Sequence, residues 1–279
     1  MSAPDNWSRT SLPEPTESTC SQGLKRVLAF VLTLAALSAV LSLLFLPVVP
    51  LPWWKVFRRC VSVSAALSVW LFMRYLHRRP VSTLGLQGWR QGRRALVTGV
   101  LLGVGTVGVV GGLYVLLQAC RVAVHPDSLR VWSRLLVYIP AMGLVAVLEE
   151  LVFRGYLLQQ LWACSKAFAV VGTSAAYALV HLRQLPVWPA SAFELTGLFV
   201  LGVVLALATL RTGQLYLAIG LHGSLAYCAQ VNKLLVEFSD PSLRWLVGTN
   251  HLVNGVGAWV GLLGIGWIVS RWVRPSRTG

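Results

Sequence analysis

Apolar runs long enough to cross a bilayer recur along this chain, at roughly 27–49, 60–76, 95–120, 132–161, 166–182, 193–211, 215–235 and 251–272. A membrane-spanning helix needs about 20 predominantly apolar residues, so eight such runs dominate what the chain can become. Of 279 residues, 56% are hydrophobic and only 12% charged, a balance that a soluble domain of this size rarely has. The sequence therefore predicts an all-α polytopic membrane protein of about eight transmembrane helices. No polar stretch between the runs is long enough to build a core of its own, so residues 24–279 read as a single transmembrane domain. Residues 1–23 are polar and rich in Ser, Thr and Pro, which predicts a disordered N-terminal tail. The first apolar run starts late and is too long for the core of a cleavable signal peptide.

The formal net charge is +15. The basic residues sit at the ends of the apolar runs, as expected of anchors at an anionic leaflet in contact with the lipid bilayer. A nucleic-acid partner would call for a basic face on a soluble module, and there is none. Of the 24 Lys and Arg residues, fourteen fall on the side of the N-terminus and nine on the other, with Arg154 inside a span. That asymmetry predicts a multi-pass integral membrane protein with both termini cytoplasmic. The five cysteines (Cys20, Cys60, Cys120, Cys164 and Cys228) are scattered singly and read as small apolar fillers, with neither a disulfide framework nor a zinc ribbon expected. Gly99, Gly103, Gly108 and Gly112, with Gly257 and Gly261, fall at small-xxx-small spacing and predict close helix packing. The stretch "GVGTVG" lacks a preceding strand and a following Lys, so it is not a phosphate loop.

The residues that carry chemistry interrupt the fourth run, "LVAVLEELVFRGYLLQQL". An ionisable group at membrane depth is costly and by default marks function. Glu150 and Arg154 are four apart and share a helix face, positioned to pair. Glu149 points about 100° away and is left without that partner. This predicts one carboxylate neutralised by the arginine and another free to act as a base; a purely structural network of all three is the competing reading. The next run carries Tyr177 and His181, four apart on one face. Glu149 and His181 lie about 20 and 22 Å from the turn that joins their spans, so antiparallel helices bring them to similar depth. His222 enters from the seventh run. Glu and His together can orient and deprotonate water, and a second His can stabilise an oxyanion. His77, His125 and His251 lie near span ends and read as interfacial.

Three motifs now stand in order: "EELVFR", "YALVH" and "HGSLA". They resemble the EExxxR signature, the aromatic-xxx-His motif and the HxxxN/D motif of the CAAX-protease and bacteriocin-processing (CPBP, or Abi) family of intramembrane endopeptidases. The resemblance covers about 130–270, a protease core from which the tail and the first two spans are excluded. It implies that Glu149 and His181 activate the hydrolytic water, that His222 donates to the oxyanion, and that Glu150 and Arg154 hold the site together, with Tyr177 in support. It also implies no cofactor, since structural work on the family favours a metal-free, glutamate-dependent mechanism. Zinc is the lesser reading; its ligands would be Glu149, His181 and His222, and no HExxH occurs. The sequence departs from the family at Ala226, where a second oxyanion donor is expected. Asn232 and Asn254 are the candidate replacements.

The implied function is hydrolysis of peptide bonds in a membrane-associated protein or peptide. Prenylated CAAX proteins, bacteriocin precursors and membrane-bound regulators are all open as substrates. Two rivals stand beside it. One is a catalytically weak or inactive member that binds peptides, favoured by Ala226. The other is a transporter with Glu149 and His181 as a proton relay, which the lack of an inverted repeat and of paired broken spans disfavours.

Overall fold

The computed structural model describes residues 19–86, 88–123, 128–181, 190–238, 243–248 and 255–272. Among these, eight helices of fifteen residues or more follow one another: α1 (Cys20–Phe45), α2 (Trp53–Leu71), α3 (Trp89–Leu116), α4 (Ser128–Glu150), α5 (Lys166–Val180), α6 (Ala190–Thr212), α7 (Tyr216–Leu235) and α8 (Val256–Trp272). A π-helical stretch, Phe72–Leu76, prolongs α2, and another, Leu151–Leu157, prolongs α4 into a last turn at Leu158–Leu161. Among the described residues, five segments are long and apolar enough to cross a membrane: Cys20–Phe45, Trp53–Leu76, Gly92–Leu116, Val131–Leu161 and Ser191–Thr212. Lys166–Val180 and Val256–Arg271 are shorter apolar helices. The protein is an all-α integral membrane protein. Large side chains such as Leu32, Leu43, Val109, Leu136 and Trp267 are exposed on these helices, which in water would be an aggregation hazard and in lipid is the ordinary outer surface.

Three details differ from the sequence reading. α1 begins at Cys20, inside the stretch read as tail, because Thr19 caps it by accepting from the Gln22 amide. A two-stranded antiparallel ribbon joins β1 (Cys120–Val122) to β2 (Val236–Phe238), with Arg121 opposite Glu237. Its three-residue strands are too short to leave a periodic signal. The third concerns the cysteines. Cys20 and Cys164 form a disulfide, 144 residues apart in sequence, so these two are not fillers. Nothing in single, scattered cysteines discloses a partner that only the helix packing brings near. Cys60 and Cys120 are buried free thiols, and Cys228 is half-buried. Alkylation of the denatured, unreduced protein should block three cysteines, and reduction should expose two more; five reactive thiols before reduction would show that the bridge does not form.

Several contacts define one face of the bundle. The disulfide ties the start of α1 to the turn between α4 and α5. Leu215 N donates to Gly85 O, and Tyr216 Oη donates to Leu86 O, joining the α2–α3 turn to the start of α7. Gly85 has φ +112°, a conformation that other side chains rarely adopt. Arg211, at the end of α6, donates to the carbonyl of Ser270 in α8. Odd-numbered helices thus start on this face and even-numbered ones end there, and the β-ribbon lies toward the other face.

The glycine expectation holds in part. A Cβ at Gly220 would strike the Leu96 carbonyl, and one at Gly99 the Leu217 carbonyl, so α3 and α7 touch backbone to backbone. Gly108 and Gly112 have nothing within 4 Å of such a Cβ. The approach of α8 to α3 depends instead on glycines of α8, with Gly257 under Tyr114 and Gly261 against Thr106 and Val110. Only one partner of a crossing needs the small residue.

His77 sits just beyond the π-helical end of α2, half-buried, with Nε2 3.5 Å from the Tyr156 hydroxyl. Burial, and then the charges of Arg26 and Arg79, hold its pKa below the usual histidine value. The unfolded chain therefore binds the proton more readily than the folded one. Stability contributed by neutral His77 should be present above pH ~6.5 and decline as pH falls toward the lowered folded value. Melting in detergent between pH 7.5 and 5 checks this: His77→Asn should flatten the acid side of the profile, and an unchanged slope would refute it. His125 and His251 lie outside the described residues.

Candidate active site

The polar cluster is layered by burial. Its deepest part is Glu150 and Arg154, both 0% exposed, four apart where α4 passes into its π-helical stretch. Arg154 Nη1 donates to Glu150 Oε1 at 2.9 Å, and Nη2 donates to the Gly202 carbonyl of α6 at 3.1 Å. That carbonyl is within reach because α5 and α6 nearly touch: a Cβ at Gly202 would lie 2.8 Å from the Ser174 Cβ. The guanidinium also stacks on the Tyr177 ring, 4.6 Å from its centroid. A charge taken out of water needs an opposite charge and hydrogen-bond partners, and this arginine has the ion pair, a carbonyl and an aromatic face, while its Nε finds no partner among the described residues.

His222, on α7, forms the middle layer. Its Nδ1 lies 2.8 Å from Glu150 Oε1, the oxygen that also accepts from Arg154. An ionised carboxylate only accepts, so Nδ1 carries the hydrogen of this bond. The remaining nitrogen, Nε2, lies 3.4 Å from the Tyr177 hydroxyl and 3.6 Å from Glu149 Oε2. Spacing within the fourth run pointed to Glu150–Arg154 and could not reveal that Glu150 also holds His222, which is 72 residues away.

Glu149 and His181 form the outermost layer, with side chains 27% and 24% exposed. His181 caps the end of α5, and its Nδ1 contacts the Tyr177 carbonyl at 2.8 Å. With Nδ1 on a carbonyl acceptor, Nδ1 carries the hydrogen and Nε2 faces Glu149 Oε2 at 3.3 Å. Glu149 Oε2 is a buried atom that lies within ion-pair distance of two imidazole nitrogens, Nε2 of His181 and Nε2 of His222.

The structure thus brings together all six residues that the sequence singled out, on α4, its extension, α5 and α7. It does not supply the missing donor from Asn232, which lies ten residues, or about 15 Å, farther along α7 than His222. Asn254 is outside the described residues. Ala226 is half-buried, one turn beyond His222. No group of three His, Cys, Asp or Glu side chains among the described residues is arranged to hold a metal ion.

Fold and site together define a class: a helical membrane protein with carboxylate and imidazole groups gathered inside its bundle. Residues 131–228, which carry all three motifs, match the model of the Rce1-like family, type II CAAX prenyl endopeptidases. The resemblance to the CAAX-protease family read from the sequence is borne out over that segment. No curated protein and no solved structure matches the chain.

Proposed function

We propose that the protein hydrolyses peptide bonds of membrane-associated proteins or peptides with a water activated by Glu149 and His181. The observation that carries this reading is Glu149 Oε2 set 3.3 and 3.6 Å from the Nε2 atoms of His181 and His222. Glu149 takes a proton from water as its oxygen bonds to the scissile carbonyl carbon. The tetrahedral intermediate then collapses, the C–N bond breaks, and the same proton passes to the leaving amine. His222 donates its Nδ1 hydrogen to Glu150, so the neutral ring offers the site a lone pair at Nε2, and the oxyanion role implied by the resemblance would require a further proton there. A prenylated C-terminal peptide is the substrate class suggested by the matched family's name.

The test is cleavage of a library of farnesylated and unmodified membrane peptides by purified protein in vesicles, with Glu149→Gln as the control. Turnover by the wild type alone supports the reading, and equal turnover by the variant sinks it. We take the reaction to need no cofactor: exhaustive chelation should leave turnover intact, whereas loss on chelation and return with added zinc would favour the zinc reading, in which Glu149, His181 and His222 would be the ligands. A second reading, a peptide-binding member with little activity, is favoured by Ala226. For orientation we propose cytoplasmic termini, on the strength of the basic residues gathered at that face. The Cys20–Cys164 disulfide on the same face favours the reverse, because disulfides persist on the oxidising side. Reporter fusions to the C-terminus decide between them.

A further inference from the structure

Tyr177 is 2% exposed, and its ring is held from several directions. The Arg154 guanidinium stacks on it at 4.6 Å, Phe153 meets it edge-on at 5.4 Å, and the His181 ring lies 4.4 Å away. All of these contacts belong to the ring, and a phenylalanine would make them equally well. The hydroxyl needs another reason, since a buried hydroxyl without a partner is destabilising. The partner it has is Nε2 of His222, at 3.4 Å. That nitrogen is otherwise free to accept, because Glu150 takes the hydrogen of Nδ1 at 2.8 Å. The Ser224 hydroxyl is committed elsewhere: it donates to the Leu221 carbonyl and packs against Gly103 of α3.

We propose that Tyr177 is a positioning residue of this site: its hydroxyl donates to His222 Nε2, so that both nitrogens of the imidazole are fixed by side chains of the chain itself and Nε2 is held opposite the Glu149 carboxylate. Rotation of the His222 ring would break two bonds at once, one at each nitrogen. The inner histidine of the site is thereby oriented from α5, in a chain whose position 226 on α7 offers no polar group. The assignment deepens the proteolytic reading and rests on it for its kinetic consequence, though the hydrogen bond itself does not.

The decisive variant is Tyr177→Phe, compared with His222→Ala and with the double variant on a peptide that the wild type cleaves. Tyr177→Phe should insert and melt like wild type, leave KM unchanged and lower kcat between ~10-fold and ~10²-fold, the loss expected of a misplaced reacting group. In the His222→Ala background it should cause no further loss, because the group it orients is gone. Wild-type kcat in Tyr177→Phe, or an undiminished loss in the double variant, would overturn the proposal. An arm independent of activity uses ¹⁵N-histidine labelling, with the His222 signals recognised by their absence from His222→Ala. The Nε2 signal should shift in Tyr177→Phe, and a fluorinated tyrosine in place of Tyr177, which keeps the ring and donates more strongly, should shift it the opposite way. An unmoved Nε2 signal in both refutes the hydrogen bond. If Glu149→Gln cleaves as well as wild type, the proteolytic reading fails and the nitrogen signals alone decide the role of Tyr177.

Discussion

Glu149→Gln should lower turnover of a cleavable membrane peptide by about 10²–10⁴-fold, the range expected when a positioned general base is removed. The substitution keeps the length and planarity of the side chain but replaces a lone-pair oxygen with an amide that cannot take a proton. Folding should be little affected. The Glu149 side chain is 27% exposed, at the outer edge of the cluster, so its removal leaves no fully buried charge behind. The expected signature is normal insertion, a wild-type melting temperature, unchanged peptide binding and lost turnover. Binding lost together with turnover would mean that Glu149 grips substrate rather than activating water.

Arg154→Ala and Glu150→Gln should produce the opposite pattern, a loss of the folded protein before any question of rate. Removing Arg154 leaves the fully buried Glu150 carboxylate with His222 as its one hydrogen-bond partner among the described residues, and takes from the Gly202 carbonyl the donor Arg154 supplies. Breaking one side of a buried ion pair typically destabilises by about 3–5 kcal/mol, a large share of the stability of most proteins. Folded yield and melting in detergent read this directly. Glu150→Gln should be the milder of the two, since an amide oxygen can still accept from Nδ1 of His222. A variant of Arg154 that melts like wild type would show that the guanidinium is not needed to hold Glu150 in place.

The two patterns differ because adjacent glutamates occupy different layers of one cluster. That much follows from the sequence: neighbouring residues on a helix diverge by about 100°, and only Glu150 shares a face with Arg154. The depth match of Glu149 with His181 was legible for a similar reason, since both lie on spans joined by a short turn, where counting residues measures height. The structure places them 3.3 Å apart. His222 was legible as a member of the site but not in its connections. It lies on a span reached through α6, and residue counting gives its height without the rotation of its helix. Its Nδ1 bond to Glu150 and its Nε2 contact with Tyr177 are set by how α7 turns against α4 and α5.

By itself the sequence determined that this chain belongs in a bilayer as a helical bundle, that ionisable groups gather in one Glu-Glu-Arg motif with two histidines, and that residue 226 lacks the donor that the resembled family carries there. These are properties of hydropathy, helical period and residue type, all local quantities. Which glycines bring helices together, that Cys20 pairs with Cys164, that a ribbon joins residues near 120 and 237, and that one oxygen of Glu150 serves both an arginine and a histidine were decided only by tertiary structure. The physical reason is common to all four. Each depends on the azimuth at which one helix meets another, and in lipid that angle is set by van der Waals fit and a few buried polar bonds, with no hydrophobic face to announce it in the sequence.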